Sequence, residues 1–179
     1  MSVVNDQIYN IKKVRDSMRF ALICHDGQTR KDGITPSVVH PLRIFAILAT
    51  KLKIDDPEIL AAALLHDTIE DTQTDYDEIS GRFGENVANY VSGLSIDSRL
   101  SKDQRHAEYL SRLKTQPWQV KIIRLADMYD NSFDAKHLKD PIRWIDKKKD
   151  EIKIIEKDIP SQYKYFLEEV HQNLENCLN

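Results

Sequence analysis

The sequence is short of the features that mark several large classes of protein. No apolar run approaches the roughly 20 residues that a membrane span requires, and the first ten residues lack the basic start and apolar stretch of a secretory signal. The two cysteines, Cys24 and Cys177, lie far apart and form neither a CxxC pair nor a zinc spacing. With no export signal, we expect reduced thiols in a cytoplasmic protein.

Glycine and an excess of charge of one sign are also missing. Only 5 of the 179 residues are glycine, and alternating β-branched runs are almost absent, which disfavours β-sheet. Lys and Arg number 26 against 29 Asp and Glu, so the formal net charge is −3. Proteins that bind duplex nucleic acid usually carry a strong basic excess. We therefore expect no nucleic acid and no membrane as partner, whereas a small phosphorylated ligand needs only a few local cations.

Apolar residues recur three or four apart along most of the chain, which is typical of α-helix. Asp56-Pro57 fits a cap followed by proline at the first helical position. The pattern predicts an all-α, single-domain helical bundle of about nine helices over residues 1–179. Its motif-bearing core spans about residues 20–135, and C-terminal helices over 141–178 pack on that core. The predicted helices are Ile8–His25, His40–Lys53, Ile59–Ile69, Asp75–Phe83, Glu85–Leu94, Leu100–Leu113, Pro117–Phe133, Pro141–Ile155 and Pro160–Leu178.

One predicted helix ends in four titratable side chains after an almost wholly apolar run. Positions four apart share a helix face, so His66 stacks with Glu70, and Asp67 stacks with Asp71. Burial of such groups without partners costs several kcal/mol. A divalent cation would compensate, because imidazole and carboxylate both bind one. The alternative is a helix end that turns into solvent, with the histidine hydrogen-bonded in the core.

Two further segments offer similar side chains. Asp127 follows the apolar run 122–126 in mid-pattern, where no helix cap is needed, and Asn131 lies one turn further along the same face. His40 stands just before Pro41 at a predicted helix start, where a ligand would be held rigidly. If Asp127 is buried, its carboxylate requires a cation nearby.

These segments together supply a set of two histidines and two carboxylates. The candidate metal ligands are His40, His66, Asp67 and Asp127. Such a set suits a manganese-, iron- or magnesium-like ion with open positions for water and a substrate oxygen. Glu70 and Asp71 would then be general acid and base groups.

Basic residues in two segments could contact phosphate. Arg30 and Lys31 stand beside Gly33 in a polar loop, where arginine suits bidentate phosphate contacts and lysine adds a point charge. The alternative for this loop is a solvated charged turn. Lys102, Arg105 and Arg112 lie on one amphipathic segment and could face the same cleft.

These residues, in this order, resemble the HD-domain metal-dependent phosphohydrolases. More narrowly, the chain is similar to the hydrolase domain of the RelA/SpoT alarmone enzymes and their small single-domain relatives. The matching strings are ALICHDGQTRKDG at 21–33, Thr35-Pro36 through His40-Pro41, AALLHDTIEDT at 62–72, Phe83-Gly84, and Leu125-Ala126-Asp127 with Asn131. They spread over roughly residues 20–135 and are specific in combination.

The resemblance implies an all-α fold and one divalent ion, typically Mn²⁺, held by the four ligands named above. It implies that Glu70 and Asp71 activate or position the water that attacks the substrate. In the family, that water removes pyrophosphate from the ribose 3′ position of guanosine tetra- or pentaphosphate. The residues that match nucleotide-holding positions are Arg30, Lys31, Lys102, Arg105 and Asn131.

The chain departs from the family pattern in two places that bear on the substrate. Ser37 stands where the family often has tyrosine, and Ser132-Phe133 stands where Leu-Arg is common. These changes motivate one alternative, a phosphohydrolase acting on another nucleotide such as a 3′-phosphorylated adenine nucleotide or NADPH. A second alternative, from another class, is a nucleotide-binding module that retains the fold without turnover. The Glu70–Asp71 pair favours an enzyme, because binding alone does not require a group that activates water. The sequence makes no prediction of the oligomeric state.

Overall fold

The chain is helical throughout the described residues, apart from loops and an isolated β-bridge between Thr29 and Pro36. The computed structural model describes residues 2–96, 101–135 and 138–177, without the side chains of 2–9 and 102–103. The prediction of an all-α fold is confirmed. Within those residues, no helix has the length and apolar character that crossing a membrane requires. The α-helices are α1 (Ser2–Cys24), α2 (Val39–Ala46), α3 (Pro57–Leu65), α4 (Thr68–Asp71), α5 (Tyr76–Phe83), α6 (Glu85–Leu94), α7 (Lys102–Leu113), α8 (Trp118–Ser132), α9 (Pro141–Ile155) and α10 (Lys164–Asn176).

The chain forms two compact units, one up to Ser95 and one from Ile96 onward. The central helix of the first unit is α3, which packs against α1, α2 and α6. All residues of Ile59–Leu65 are buried, which explains why this segment is apolar on every side. The carboxylate of Asp56 accepts hydrogen bonds from the backbone N–H groups of Glu58 and Ile59, so the predicted helix start is confirmed.

The continuous helix predicted over Ile59–Ile69 is wrong, because α3 ends at Leu65 and α4 begins at Thr68. The hydroxyl of Thr68 donates to the Leu65 carbonyl at 2.6 Å, and this bond competes with the backbone pattern of a straight helix. Asp67 takes φ −93° and ψ −7°, a backbone region where many active-site residues lie. The chain therefore turns at the two residues that carry candidate ligands.

Other helix ends of the first unit follow local signals. Gly84 separates α5 from α6 with φ 99°, a conformation that favours glycine, so the predicted break is confirmed. The predicted helix over His40–Lys53 instead changes from α2 into a π-helical turn over Ile47–Lys51, in which the Leu52 N–H donates to the Ile47 carbonyl.

In the second unit, α9 packs against α7, α8 and α10, and α8 also packs against α10. Asp140 caps α9 through the Arg143 N–H, and Pro141 occupies its first turn, so the predicted bounds of α9 are confirmed. A 3₁₀ turn over Ser161–Tyr163 precedes α10, which therefore begins later than predicted. The organisation of residues 1–179 as a single domain stays a prediction.

Candidate metal centre and hydrolytic site

Two histidines and a carboxylate meet in the first unit at the start of α2 and at the turn between α3 and α4. One ligand atom from each of His40, His66 and Asp67 lies within 4.8 Å of the others. The His66 Nε2 atom lies 2.9 Å from Asp67 Oδ1, and His40 Nε2 lies 3.8 Å from Asp67 Oδ2. Both imidazole rings are buried, with 2% and 4% of the residue surface exposed. This set of donors fits a divalent metal ion and leaves coordination positions for other ligands.

The backbone holds the ring of His66 in the form that a metal requires. Its Nδ1 lies 2.8 Å from the carbonyl oxygen of Ala63, within the last turn of α3. A carbonyl oxygen can only accept, so Nδ1 carries the proton and Nε2 presents its lone pair. Such a hydrogen bond fixes the tautomer and ring orientation of metal-binding histidines.

The two predicted acid and base residues are the last two residues of α4. Glu70 and Asp71 both keep an exposed surface, although that of Asp71 leaves part of its carboxyl covered. The Asp71 N–H donates to the Asp67 carbonyl at 2.8 Å. Partial burial of its carboxyl, followed by the negative charge of Asp67, raises the pKa of Asp71 above its usual 3.8. Asp71 is therefore better able to hold a proton than an isolated aspartate.

A hydrogen-bonded chain connects the end of α1 to Asp71. The Nδ1 atom of His25 lies 2.8 Å from Oε1 of Gln28, and the Gln28 side-chain amide donates to the Asp71 backbone carbonyl at 2.8 Å. His25 is buried, with 4% of its surface exposed. His25 lies in the segment 21–33 that carries part of the family resemblance, but no sequence motif assigns the histidine itself a role.

The loop that carries Arg30 and Lys31 is closed by its own backbone and by Asp32. The Arg30 N–H donates to the Thr35 carbonyl at 2.7 Å, and one carboxylate oxygen of Asp32 accepts from the N–H groups of Ile34 and Thr35. The Thr35 hydroxyl donates to the other carboxylate oxygen at 2.6 Å. These bonds, that of the Thr35 hydroxyl first, lower the pKa of Asp32 to about 2. The loop is therefore internally held rather than a loose charged turn.

Asp127 lies in the second unit, in the middle of α8, and is buried as predicted, with 5% of its surface exposed. The cation beside it is Arg124, whose Nη1 donates to Asp127 Oδ2 at 2.8 Å. The same guanidinium donates to both carboxylate oxygens of Glu151 on α9 and lies 4.9 Å from the centre of the Tyr109 ring. Asp127 as a fourth metal ligand stays a prediction.

The charges around Arg124 reinforce one another. Burial alone would lower the pKa of the guanidinium, but Glu151, Tyr109 and Asp127 outweigh it and raise that pKa well above its usual value. Burial likewise opposes ionisation of Glu151, yet Arg124 and Lys148 lower its pKa. The Lys148 ammonium donates to Glu151 at 2.8 Å. Glu151 and the guanidinium are thus both charged inside the second unit.

The remaining candidates for substrate contact fall in the second unit as well. The side-chain amide of Asn131 donates to Asp127 Oδ1, which confirms that the two share a helix face. Arg105 is half-buried on α7, and the side chain of Lys102 lies outside the described residues. Arg112 pairs with Glu108 four residues earlier, at 3.2 Å. Their contacts with substrate stay predictions.

Comparison with known proteins matches residues 17–152 to the HD domain family. A zebrafish (Danio rerio) relative named guanosine-3′,5′-bis(diphosphate) 3′-pyrophosphohydrolase MESH1 is 37% identical over 120 residues, covering 66% of this chain and 67% of the relative. The bifunctional (p)ppGpp synthase/hydrolase SpoT of Escherichia coli (strain K12) is 39% identical over 127 residues, which are 68% of this chain and 18% of that enzyme.

A solved structure gives the same result at the level of the fold. It is a metazoan orthologue of SpoT, described as hydrolysing ppGpp and taking part in starvation responses. It superposes with a TM-score of 0.80 at 26% sequence identity, covering 89% of this chain and 94% of that one.

Proposed function

This chain belongs to the HD domain family, and we propose that it hydrolyses guanosine 3′,5′-bis(diphosphate) to GDP and pyrophosphate with Mn²⁺ as its metal. The chain is an enzyme of the phosphohydrolase type. The observation that carries this proposal is the convergence of ligand atoms of His40, His66 and Asp67 within 4.8 Å. The chain that brings them together is 37% identical to a relative named as a 3′-pyrophosphohydrolase. The name of that relative specifies a guanosine nucleotide. We propose a small nucleotide as the partner of this chain and the cytoplasm as its location.

His40, His66 and Asp67 would hold the metal, with Asp127 as the proposed fourth ligand. When bound, a divalent ion supplies a positive charge that lowers the pKa of a water molecule and stabilises charge on a phosphoryl group. The reaction adds the oxygen of water to the phosphorus next to the ribose 3′ oxygen, and the bond between that phosphorus and the ribose oxygen breaks. One proton leaves the water, and the ribose 3′ oxygen gains one.

The proposed roles of Glu70 and Asp71 follow from those two protons. Both stand on α4 within one turn of Asp67, where a carboxylate can take the proton of the attacking water. Asp71 is proposed to keep that proton and return it to the ribose 3′ oxygen. The cations Arg30 and Lys31 in the first unit are proposed to bind the phosphates of the nucleotide.

Product analysis tests the function directly. We expect the purified protein, given guanosine tetraphosphate and Mn²⁺, to release pyrophosphate and GDP in equal amounts, and to release neither after chelation of the metal. Chromatography of the nucleotide together with a pyrophosphate assay measures both products. Orthophosphate release from a 3′-phosphorylated adenine nucleotide or NADPH, without pyrophosphate release from ppGpp, would instead favour the alternative motivated by Ser37. Tight nucleotide binding without turnover would instead favour the second alternative, a nucleotide-binding module that is not an enzyme.

The loop around Asp32 gives a second prediction. We expect Asp32→Ala to raise KM for ppGpp about 10-fold and to change kcat less than about 2-fold, because the loop that presents Arg30 and Lys31 loses its internal hydrogen bonds. Steady-state kinetics at saturating Mn²⁺ measures both constants. Asp26→Ala, an exposed aspartate in the same loop region, is the matched control and should leave KM unchanged. An unchanged KM in Asp32→Ala would show that the loop does not bind substrate.

A further inference from the structure

His25 is a buried histidine of the first unit that the metal set does not use. Three histidines of this unit are buried, and His40 and His66 are the two whose ligand atoms cluster with Asp67. His25 follows α1 directly, and its N–H donates to the Ala21 carbonyl. Its backbone is therefore anchored to a packed helix, so its ring is well placed to serve as a fixed support.

Hydrogen bonds determine which nitrogen of His25 carries the proton. The Asp71 carbonyl can only accept, so the Gln28 side-chain atom beside it is the amide nitrogen. The other end of that amide, the oxygen, then faces His25 Nδ1 and can also only accept. Nδ1 therefore carries a proton, and in this tautomer Nε2 offers a lone pair.

That lone pair is buried without a hydrogen-bond partner among the described residues. A buried polar atom without a hydrogen-bond partner destabilises the folded state, so native proteins usually give such atoms a partner. The hydrogen bonds of His25 lead to Asp71, because the Gln28 amide that faces the His25 ring donates to the Asp71 backbone carbonyl at 2.8 Å. When two polar groups face each other beyond direct hydrogen-bond distance, a water molecule commonly connects them.

We propose that His25 is a positioning residue of the hydrolytic site, in which Nε2 accepts a hydrogen bond from a water molecule that the Asp71 carboxyl also holds. The backbone of Asp71 is then held through Gln28, and its carboxyl is held through this water. A catalytic carboxylate must keep its orientation within about 10–20° to work well. The inference rests on the proposed function, since it assigns a support to one of its proton-transfer groups.

Two substitutions of one residue separate this role from a purely structural one. His25→Asn keeps a donor near the Nδ1 position, so the Gln28 contact survives, but it removes the acceptor at the Nε2 position. His25→Gln reaches the Nε2 position with its side-chain oxygen, but it gives up the donor that Gln28 uses. Loss of an outer support of this kind typically costs about 10–100-fold in activity.

We expect His25→Asn to lower kcat for pyrophosphate release by about 10–100-fold, with KM and Mn²⁺ affinity within about 2-fold of the wild type. His25→Gln should retain more activity than His25→Asn. His171→Asn, at a half-buried position on α10, is the matched control and should leave kcat unchanged. The reverse order, with His25→Asn the more active variant, would mean that His25 only anchors Gln28 and would overturn the inference.

A measurement that needs no turnover keeps this inference separate from the proposed function. Nitrogen NMR of ¹⁵N-histidine-labelled protein loaded with Mg²⁺, which is diamagnetic, reports the tautomer, and His25→Asn assigns the signal. We expect the proton on Nδ1 and none on Nε2. A proton on Nε2 would overturn the inference whether or not ppGpp is hydrolysed. If the wild type released no pyrophosphate, the proposed function would be wrong. The tautomer of His25 would still test whether Nε2 is available to accept a hydrogen bond.

Discussion

His66→Ala is expected to lower kcat/KM for pyrophosphate release by about 10³-fold or more, beyond the 10–100-fold cost of losing an outer support. The ring supplies one of three ligand atoms that lie within 4.8 Å of one another. The hydrogen bond between Nδ1 and the Ala63 carbonyl orients its Nε2 atom. Alanine has no side-chain atom that could replace Nε2 as a metal ligand. Pyrophosphate release at several Mn²⁺ concentrations, together with a Mn²⁺ binding titration, measures the effect.

The binding titration distinguishes loss of the metal from loss of the fold. We expect weaker Mn²⁺ binding in His66→Ala and in Asp67→Ala, with helical circular dichroism retained at 25 °C. His171→Ala on α10 is the matched control, because it removes a histidine that stands in another helix from the candidate ligands. Wild-type activity in both His66→Ala and Asp67→Ala would show that this cluster is not the metal site.

Local signals were enough to predict most helix bounds. Asp140 and Pro141 mark the start of α9 because capping and the restricted φ of proline act within a few residues. Gly84 marks the break between α5 and α6 for a similarly local reason. The break at His66 was missed because periodicity extends an apolar run regardless of a side-chain bond. Here that bond joins the Thr68 hydroxyl to the Leu65 carbonyl.

The candidate site was predicted only as far as residue type and helix spacing allow. His40, His66 and Asp67 stand in short motifs that are visible in the sequence, so they could be named as candidate ligands before the structure brought them together. The support of Asp71 by Gln28, 43 residues away, is a tertiary contact that no periodicity carries. The pairing of Arg124 with Glu151 across 27 residues is another. For Asp127, the sequence required a cation, and the described structure shows a guanidinium in contact with it.

That guanidinium carries the largest expected effect on stability. We expect Arg124→Met to lower the free energy of unfolding by about 3–5 kcal/mol, the usual cost of removing one partner from a buried ion pair. Asp127 and Glu151 would each lose a charge-assisted hydrogen bond while staying buried, with 7% and 3% of their side-chain surface exposed. Chemical denaturation with a matched control, Arg15→Met in the exposed pair with Asp16, measures the difference. The control should change stability by less than about 0.5 kcal/mol.

The pH dependence of stability provides an independent check on the same cluster. The pKa of Glu151 is lowered from its usual 4.5, because Arg124 and Lys148 outweigh the effect of burial. A depressed carboxyl pKa contributes stability that is fully present above pH 4.5 and is lost as the pH falls through the lower folded value. We therefore expect the wild type to lose stability on acidification below pH 4.5 more steeply than Glu151→Gln, which has no proton to gain there. If the free energy of unfolding fell equally steeply with pH in the two proteins, Glu151 would not be held as a charged partner of Arg124.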